Sequence, residues 1–269
     1  MPALNLLKGK TAIITGGTTG IGRAIALEYI KQGANVVVNH LDLSKDKPHL
    51  DSLLAEASQA SSGRPSDAGK LAHLPGDVSD PVTGEALVKK AVELFGRLDI
   101  CVSNAGICQF AEFLTMEPDI FSRTVRTNLD GAFYVCQAAA RQMASQSPSG
   151  GSIIGMSSIS ALVGGEFQAH YCPTKAGVNS LMQSCAVALG KHNIRCNSLL
   201  PGTIKTQLNE EDLANDEKRK YMEGRIPLKR TGVPHDMAGP AVFLACEELS
   251  GYVTGAQLLV DGGLFVNLQ

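Results

Sequence analysis

The sequence has little excess charge of either sign and no long apolar run. Its 24 lysines and arginines against 26 aspartates and glutamates give a net charge of −2, which offers no electrostatic basis for nucleic acid or an anionic membrane as the main partner. No run reaches about 18 apolar residues, so no transmembrane helix is predicted. The first ten residues lack the apolar core of a signal peptide. With 44% hydrophobic and 19% charged residues, the composition excludes a disordered or fibrous chain.

Cysteine is present but forms no recognisable framework. The seven cysteines are odd in number, scattered, and include no C-x-x-C pair. This usage predicts reduced thiols in a cytoplasmic protein, with neither a disulfide framework nor a metal site. Most of the thiols are expected to pack as small core residues. They stand at Cys101, Cys108, Cys136, Cys172, Cys185, Cys196 and Cys246.

Short β-branched runs alternate with longer helical patterns along the chain. The strand-like runs lie at residues 11–15, 35–39, 72–75, 99–103, 152–157, 194–200 and 257–260. The helical patterns lie at residues 21–32, 82–95, 118–144, 169–191 and 234–247. Most of the strand-like runs are almost continuously apolar, as in strands covered on both faces. The alternation predicts an α/β fold with a parallel sheet and helices on both sides, and no linker divides the chain.

Two polar segments interrupt this alternation. Residues 42–70 predict a short helix at about 51–60 followed by a mobile loop, because Ser, Gly and Pro cluster at their end. Residues 203–230 contain a mixed-charge helical stretch that follows a strand. This stretch is either a solvated helix face or a substrate lid.

A glycine-rich turn follows the first strand and opens the first long helix. Gly16, Gly20 and Gly22 allow, between them, a sharp turn, a close approach of backbone to a pyrophosphate, and tight packing of helix on sheet. The helix then presents free N–H groups and the positive end of its dipole. The spacing is G-x-x-x-G-x-G, and no G-K-[ST] follows, so the turn is not a Walker loop. Its position between strand and helix favours nucleotide binding.

Four residues form a candidate catalytic group. Tyr171 and Lys175 are four apart at the start of a predicted helix and therefore share one face. A lysine ammonium beside a tyrosine stabilises the phenolate and lowers the pKa of the tyrosine, which makes a general base. Ser158 follows the strand that ends at about residue 157, where parallel sheets bind ligands. Asn128 is an amide inside a predicted helix, where it is mildly unfavourable and could bind a water that links Lys175 to solvent.

Together these residues resemble the short-chain dehydrogenase/reductase family over nearly the whole chain. The resemblance rests on TGGTTGIG at 15–22, GDV at 76–78, SNAG at 103–106, Asn128, Ser158, Y-x-x-x-K at 171–175 and PGTIKT at 201–206. Ser103 departs mildly from the usual N-N-A-G. The resemblance implies a single doubly wound Rossmann-type domain, residues 1–269, with a seven-stranded parallel sheet. It also implies a homotetramer, because the C-terminal VTGAQLLVDGG matches a strand that commonly packs in one.

The resemblance also implies residue roles. Tyr171 would be the base, Lys175 would assist it and bind the nicotinamide ribose, Ser158 would orient the substrate oxygen, and Asn128 would complete a proton relay. Asp77 and Val78 would sit at the adenine. The implied cofactor contacts are Gly16, Thr18, Thr19, Gly20, Ile21, Gly22, His40, Asp42, Asp77, Val78, Asn104, Ala105, Gly106, Tyr171, Lys175, Pro201, Gly202, Ile204 and Thr206.

Longer segments are similar to a fungal branch of this family that oxidises the anomeric hydroxyl of a 6-deoxy sugar, L-rhamnose, to the lactone. They include SSISALVGG at 157–165, KRKYMEGRIPL at 218–228 and the last fifteen residues. Such a substrate is neutral and rich in hydroxyls, so its pocket should offer several hydrogen-bonding side chains. Besides Ser158 and Tyr171, the candidates are Ser160, Gln168, Thr203 and Asn209.

The end of the second strand bears on the choice of coenzyme. An acidic residue there binds the ribose 2′-hydroxyl of NAD, whereas a basic residue accommodates the 2′-phosphate of NADP. This chain has Asn39 and His40, with Asp42 still able to reach the ribose, and Thr19 rather than Arg or Lys before Gly20. The lack of a basic clamp favours NAD, with NADP possible because His40 can tolerate a phosphate.

Two other functions share these motifs. A reductase of a 3-oxoacyl thioester, or of another carbonyl or polyol, would use the same residues. A phosphopantetheine carrier usually needs a basic entry patch, however, and residues 203–217 are acidic with only Lys205. An NAD(H)-binding regulatory protein would need the fold alone, so Ser158, Tyr171 and Lys175 argue against it.

Overall fold

A single seven-stranded parallel sheet forms the centre of the molecule. The computed structural model describes residues 5–62 and 68–267. The strands lie in the order β3-β2-β1-β4-β5-β6-β7, and they are β1 Thr11–Ile14, β2 Asn35–His40, β3 Leu71–Pro75, β4 Ile100–Ser103, β5 Gly151–Met156, β6 Ile194–Pro201 and β7 Gln257–Val260. All seven predicted strands are confirmed, each within one residue at either end.

The strands are apolar throughout because both faces of the sheet are covered. Successive side chains of a strand point to opposite faces. Ile14 and Val38 accordingly belong to one buried cluster, whereas Ile13 and Val37 belong to the other. The two clusters are the two cores of the predicted three-layer α/β fold.

Ten α-helices lie in the described part of the chain. They are α1 Gly20–Lys31, α2 Lys47–Ser62, α3 Pro81–Phe95, α4 Pro118–Val125, α5 Gly131–Ser145, α6 Tyr171–Leu189, α7 Glu210–Ala214, α8 Asp216–Arg225, α9 Ala238–Ala245 and α10 Glu247–Ser250. Helices α1, α2 and α9 supply side chains to the first core, and α3, α5 and α6 supply them to the second. None of the described helices is long and apolar enough to cross a membrane.

Three helical predictions need correction. The predicted helix 118–144 contains one π-helical turn, Arg126–Asp130, between α4 and α5. The predicted helix 234–247 is a 3₁₀ turn, Pro234–Met237, followed by α9 and α10. The helix predicted at about 51–60 is longer at both ends. Part of the mobile loop expected after it, residues 63–67, lies outside the described residues.

Strand order determines where a ligand can bind. The chain runs outward from β1 to β2 and β3, then returns to place β4 on the other side of β1. The loops after β1 and β4 therefore diverge and leave a crevice at the carboxyl ends of these strands. All four candidate catalytic residues follow β4 or β5 in the chain.

Candidate active site

The glycine-rich turn after β1 is attached to the end of β4. The Asn104 amide donates hydrogen bonds to the carbonyls of Thr15 at 2.9 Å and Gly16 at 3.1 Å. The Thr15 hydroxyl accepts the backbone N–H groups of Asn104 and Ala105. A Cβ on Gly22 would overlap the Gly16 carbonyl oxygen, so this position requires glycine. The side chain of Asn104 therefore holds the loop in place.

The turn fits a dinucleotide pyrophosphate. Helix α1 begins at Gly20, and the Thr19 side chain makes no capping hydrogen bond to it. The first N–H groups of α1 are thus left for another acceptor, as a phosphate requires. A Cβ on Gly20 would lie 3.5 Å from the Thr206 methyl group, which brings residue 206 to the same turn. The predicted contacts at Gly16, Gly20 and Thr206 are compatible with this arrangement.

Two glycines stand in close contacts at the expected nicotinamide end of the cofactor site. A Cβ on Gly106 would lie 3.3 Å from Asn128 Oδ1 and 3.4 Å from Lys175 Nζ, so glycine leaves the space in front of the lysine open. A Cβ on Gly202 would lie 2.6 Å from the Asp261 side chain, which keeps the backbone after β6 close to the C-terminal segment.

At the end of β2, where the adenosine ribose of the cofactor is expected, two histidines pair in a way that the sequence does not predict. His40 is the last residue of β2 and is buried. Its Nε2 lies 3.1 Å from Nδ1 of His73 on β3, and its Nδ1 accepts the backbone N–H of Asp42. Asp42 is exposed and has a left-handed φ of 63°. The imidazole of His40 is therefore engaged on both nitrogens. Asp42 is exposed beside it, and its contact with a ribose stays a prediction.

The predicted adenine contacts lie in the turn after β3. Asp77 is exposed and its Oδ1 accepts the N–H of Ser79 at 2.9 Å, whereas Val78 is buried. Their contact with a cofactor stays a prediction.

Tyr171 and Lys175 lie together at the start of α6, where Lys175 is buried and Tyr171 is partly buried. Tyr171 is the first residue of α6, and the Lys175 ammonium lies 5.5 Å from its ring centroid. Lys175 Nζ donates to the Met156 carbonyl at the end of β5, at 2.8 Å. Ser158 is an extended residue two positions after β5, and its hydroxyl hydrogen-bonds to Tyr171. The structure thus brings three of the four candidate catalytic residues into one cluster.

Burial changes the pKa values of Tyr171 and Lys175 in opposite directions. Burial raises the pKa of Tyr171 above its ordinary value, the neighbouring Cys108 adds to the rise, and the hydrogen bond from Ser158 opposes it. Burial lowers the pKa of Lys175 to about 8. The expectation that Lys175 depresses the pKa of Tyr171 is therefore not met in this state, because burial is the largest influence on the pKa of Tyr171 and the lowering influence comes from Ser158.

Asn128 lies at the centre of the π-helical turn and is buried. Its Oδ1 accepts the N–H of Ile107 at 2.8 Å, and its Nδ2 donates to the Ile107 carbonyl at 2.9 Å and to Thr174 Oγ1 at 3.2 Å. The side chain thus joins the loop after β4 to α6 and makes no direct bond to Lys175. The predicted relay would have to run through a water or the backbone of this turn.

Two of the four additional substrate candidates adjoin the catalytic group. The backbone N–H of Ser160 donates to Ser158 Oγ, and the hydroxyl of Ser160 lies 3.4 Å from Gln168 Oε1. Thr203 and Asn209 lie instead at the start of the segment 203–230. Asn209 accepts the N–H of Thr206 and donates to the Ile204 carbonyl, so its side chain is largely used within its own loop.

Sequence reasoning missed two cysteines at this site. Gln168 Nε2 lies 3.7 Å from Cys108 Sγ, and Cys172 Sγ lies 3.9 Å from Gln168 Oε1. Cys101, Cys136, Cys196 and Cys246 are buried as expected, whereas Cys108, Cys172 and Cys185 are partly exposed. The signal that could have found them is position: Cys108 follows Gly106 by two residues, and Cys172 adjoins Tyr171. Among the side chains that the structure describes, no three or more His, Cys, Asp or Glu residues are grouped so that they could hold a metal ion.

The crevice, its glycine turn and the Ser–Tyr–Lys cluster define a class of enzyme. The family model described as enoyl-(acyl carrier protein) reductase matches residues 16–265. A solved structure of a short-chain type dehydrogenase/reductase from Mycobacterium marinum superposes with a TM-score of 0.86, at 36% identity, covering 97% of each chain. The chain belongs to the short-chain dehydrogenase/reductase family.

Two relatives are more similar in sequence. The L-rhamnose-1-dehydrogenase of Scheffersomyces stipitis is 60% identical over 264 residues, which cover 98% of this chain and 99% of that protein. The L-rhamnose 1-dehydrogenase (NAD(P)(+)) of a Sphingomonas species is 56% identical over 266 residues, covering 99% of this chain and 100% of that protein.

Proposed function

We propose that this protein oxidises the C1 hydroxyl of L-rhamnose to the lactone with NAD(P) as hydride acceptor. The observation that carries the proposal is the Ser158–Tyr171–Lys175 cluster at the carboxyl end of the sheet, in a chain 60% identical to an L-rhamnose-1-dehydrogenase. The Ser160 and Gln168 side chains beside the cluster are uncharged hydrogen-bonding groups, which suit a sugar. The segment 203–217, with Lys205 as its only basic residue, does not offer the basic entry patch that a thioester carrier would favour.

Each residue of the Ser158–Tyr171–Lys175 cluster has a separate role in the reaction. Ser158 holds the C1 oxygen by hydrogen bond, and Tyr171 takes the proton of that hydroxyl as the C1 hydrogen leaves with its bonding electrons. The nicotinamide supplies the acceptor for this hydride. Lys175 stabilises the phenolate by charge, and its own bond to Met156 fixes its position. The loss of one proton and one hydride from the sugar leaves the lactone carbonyl at C1.

The cofactor would lie along the crevice described above. The glycine turn and the N-terminus of α1 would hold its pyrophosphate, Asp42 its adenosine ribose, and Lys175 its nicotinamide ribose. Pro201, Gly202 and Ile204 would line the nicotinamide end. We favour NAD over NADP, because Arg23, the basic side chain on α1 nearest the turn, is bonded to Ser52 and Glu56 of α2.

The test follows absorbance at 340 nm with purified protein, L-rhamnose, and NAD or NADP in separate reactions. We expect rapid reduction of the coenzyme with wild-type protein and a loss of at least about a hundredfold in Tyr171→Phe, because the base contributes about 10²–10⁴ in rate. Tyr171→Phe should still bind NADH. Turnover by this variant at the wild-type rate would disprove the mechanism, and turnover of a 3-oxoacyl thioester instead of L-rhamnose would favour the alternative reductase.

Three further properties belong to this proposal. Residues 203–230 act as a substrate lid, the protein assembles as a homotetramer, and it works in the cytoplasm. The stem of the lid is tied by the hydrogen bonds of Lys205 and Thr203 to Gly232, which leaves α7 and α8 between fixed ends. Partly exposed thiols at Cys108 and Cys172 suit a reducing compartment.

A further inference from the structure

Two histidines on neighbouring strands form a hydrogen-bonded pair beside the expected ribose site. His40 Nε2 and His73 Nδ1 are 3.1 Å apart, and the ring centroids are 5.3 Å apart. His40 is 5% exposed, and His73 is partly buried. The second nitrogen of His40, Nδ1, lies 3.1 Å from the backbone nitrogen of Asp42.

The chemistry of these partners determines where the protons lie. A backbone N–H can only donate, so His40 Nδ1 must be the acceptor and carry no proton. The proton of the neutral His40 ring is then on Nε2 and is donated to His73 Nδ1. His73 in turn carries its proton on Nε2. His73 is therefore the residue that stabilises this one tautomer of His40.

The tautomer of His40 bears directly on Asp42. Asp42 has a φ of 63°, a left-handed conformation that is unfavourable for a residue other than glycine. The bond from its N–H to His40 helps to hold this conformation. If His40 changed to the other neutral tautomer, its Nδ1 would become a donor and this bond would be lost. The exposed carboxylate of Asp42 would then no longer be held in one place.

We propose that His73 is a positioning residue for coenzyme selection. By accepting the Nε2 proton of His40, it keeps the Asp42 turn in the form that receives a ribose 2′-hydroxyl and repels a 2′-phosphate. The paired imidazoles at the same time present no positive charge to a phosphate. The inference rests on the proposed function in one respect, that the adenosine ribose of the coenzyme lies at the end of β2.

The test compares coenzyme binding in the absence of sugar. Full-length wild-type protein and variants are titrated with NADH and with NADPH, and Kd is obtained from the fluorescence of the bound nicotinamide. We expect wild-type protein to bind NADH more tightly. His73→Phe, which keeps a ring but removes the acceptor, should weaken NADH binding about five- to tenfold, the worth of one hydrogen bond. NADPH binding should not weaken, because the repulsion between the Asp42 carboxylate and the 2′-phosphate is relieved, so the ratio of the two constants shifts toward NADPH.

Rescue and control variants separate positioning from general damage. His73→Asn restores an acceptor at the same place and should return the NADH Kd to within about twofold of wild type. His73→Leu repeats the loss of the acceptor if His73→Phe does not fold. His192→Leu, at the far end of α6, removes a histidine elsewhere and should leave both constants unchanged.

Each outcome has a definite meaning. An unchanged ratio of the NADH and NADPH constants in His73→Phe or His73→Leu overturns the proposal, as does tighter binding of NADPH by wild-type protein. A wild-type protein that binds neither coenzyme overturns the proposed function and this inference with it. Binding that shifts as expected, in a protein that does not oxidise L-rhamnose, supports the inference and shows that the sugar assignment is wrong.

Discussion

At the scale of single residues, the active site depends on burial more than on a close ion pair. Tyr171 is a phenol whose pKa is raised by burial, and Lys175 is an ammonium whose pKa burial lowers to about 8. When both groups carry their protons, the pair contains no base. When one proton has left, the pair contains one base that can take the proton of a sugar hydroxyl.

This protonation scheme predicts the pH dependence of sugar oxidation. As the pH rises, the pair loses its first proton near pH 8, where the pKa of Lys175 lies. The proton that remains can be held by Lys175, which leaves Tyr171 as the phenolate base. We therefore expect kcat/KM for L-rhamnose to fall below about pH 8, by a factor of about ten per pH unit, as the pair takes up its second proton. Initial rates between about pH 6 and pH 9 measure this. A level profile over that range would contradict the scheme.

The control for this profile changes binding without changing the titrating groups. Ser160→Ala removes a hydroxyl beside Ser158 and leaves Tyr171 and Lys175 in place. We expect a higher KM for L-rhamnose and an inflection at the same pH. A shifted inflection in Ser160→Ala would mean that the profile reports another group.

At the scale of elements, the strands were predictable and the contacts between them were not. Strands β1 and β4 are buried over their whole length, so each leaves a continuous apolar run that shows directly in the sequence. The pairing of His40 with His73 joins residues 33 apart. It depends on the register of β2 against β3, which no local pattern contains.

In the candidate site, too, local features were predictable from the sequence and contacts between distant residues were not. Glycine spacing and Y-x-x-x-K are local signals, and they led to the loop and to the Tyr171–Lys175 pair. The contact of Cys108 with Gln168 is 60 residues apart in sequence, and the rise in the pKa of Tyr171 results from burial by several elements. Burial of a polar site cannot be read from the polar residues themselves.

The segment 203–230, which we propose as a substrate lid, leads to a prediction for proteolysis. Helix α8 has no buried residue, and it contains Lys218, Arg219, Lys220 and Arg225 as trypsin sites. We expect trypsin to cut within 216–225 first in the protein alone. NADH and L-rhamnose together, each at about ten times its Kd, should slow this cleavage about tenfold if only the open form is cut. Mass spectrometry of timed digests measures the rate.

The comparison needs a control for trypsin itself. Hydrolysis of a small peptide substrate should be the same with and without NADH and L-rhamnose. Equal cleavage of 216–225 in both digests, with trypsin unaffected, would show that this segment does not close over the site.

At the scale of the whole molecule, the surface carries apolar side chains where a monomer would favour polar ones. Phe113 is 69% exposed and Leu114 is 88% exposed in the segment before α4, and Phe121 on α4 and Phe133 on α5 are nearly half exposed. These four residues follow β4 within about 30 positions. Exposed apolar side chains mark interaction surfaces where they are contiguous, and we expect these four residues to be covered in the assembly. Since net charge is only −2, overall charge repulsion does not oppose association of identical chains.

This surface leads to a prediction for the assembly. We expect light scattering of wild-type protein to give a mass near four times the 28.3 kDa chain. Burying a phenylalanine stabilises an interface by about 1.5–3 kcal/mol, and an unpaired carboxylate in its place costs more. The double variant Phe121→Asp, Phe133→Asp should therefore have a lower mass, whereas Leu94→Asp, which replaces a half-exposed leucine on α3, should keep the wild-type mass. A wild-type mass of one chain would refute the tetramer, and an unchanged mass in the double variant would locate the interface elsewhere.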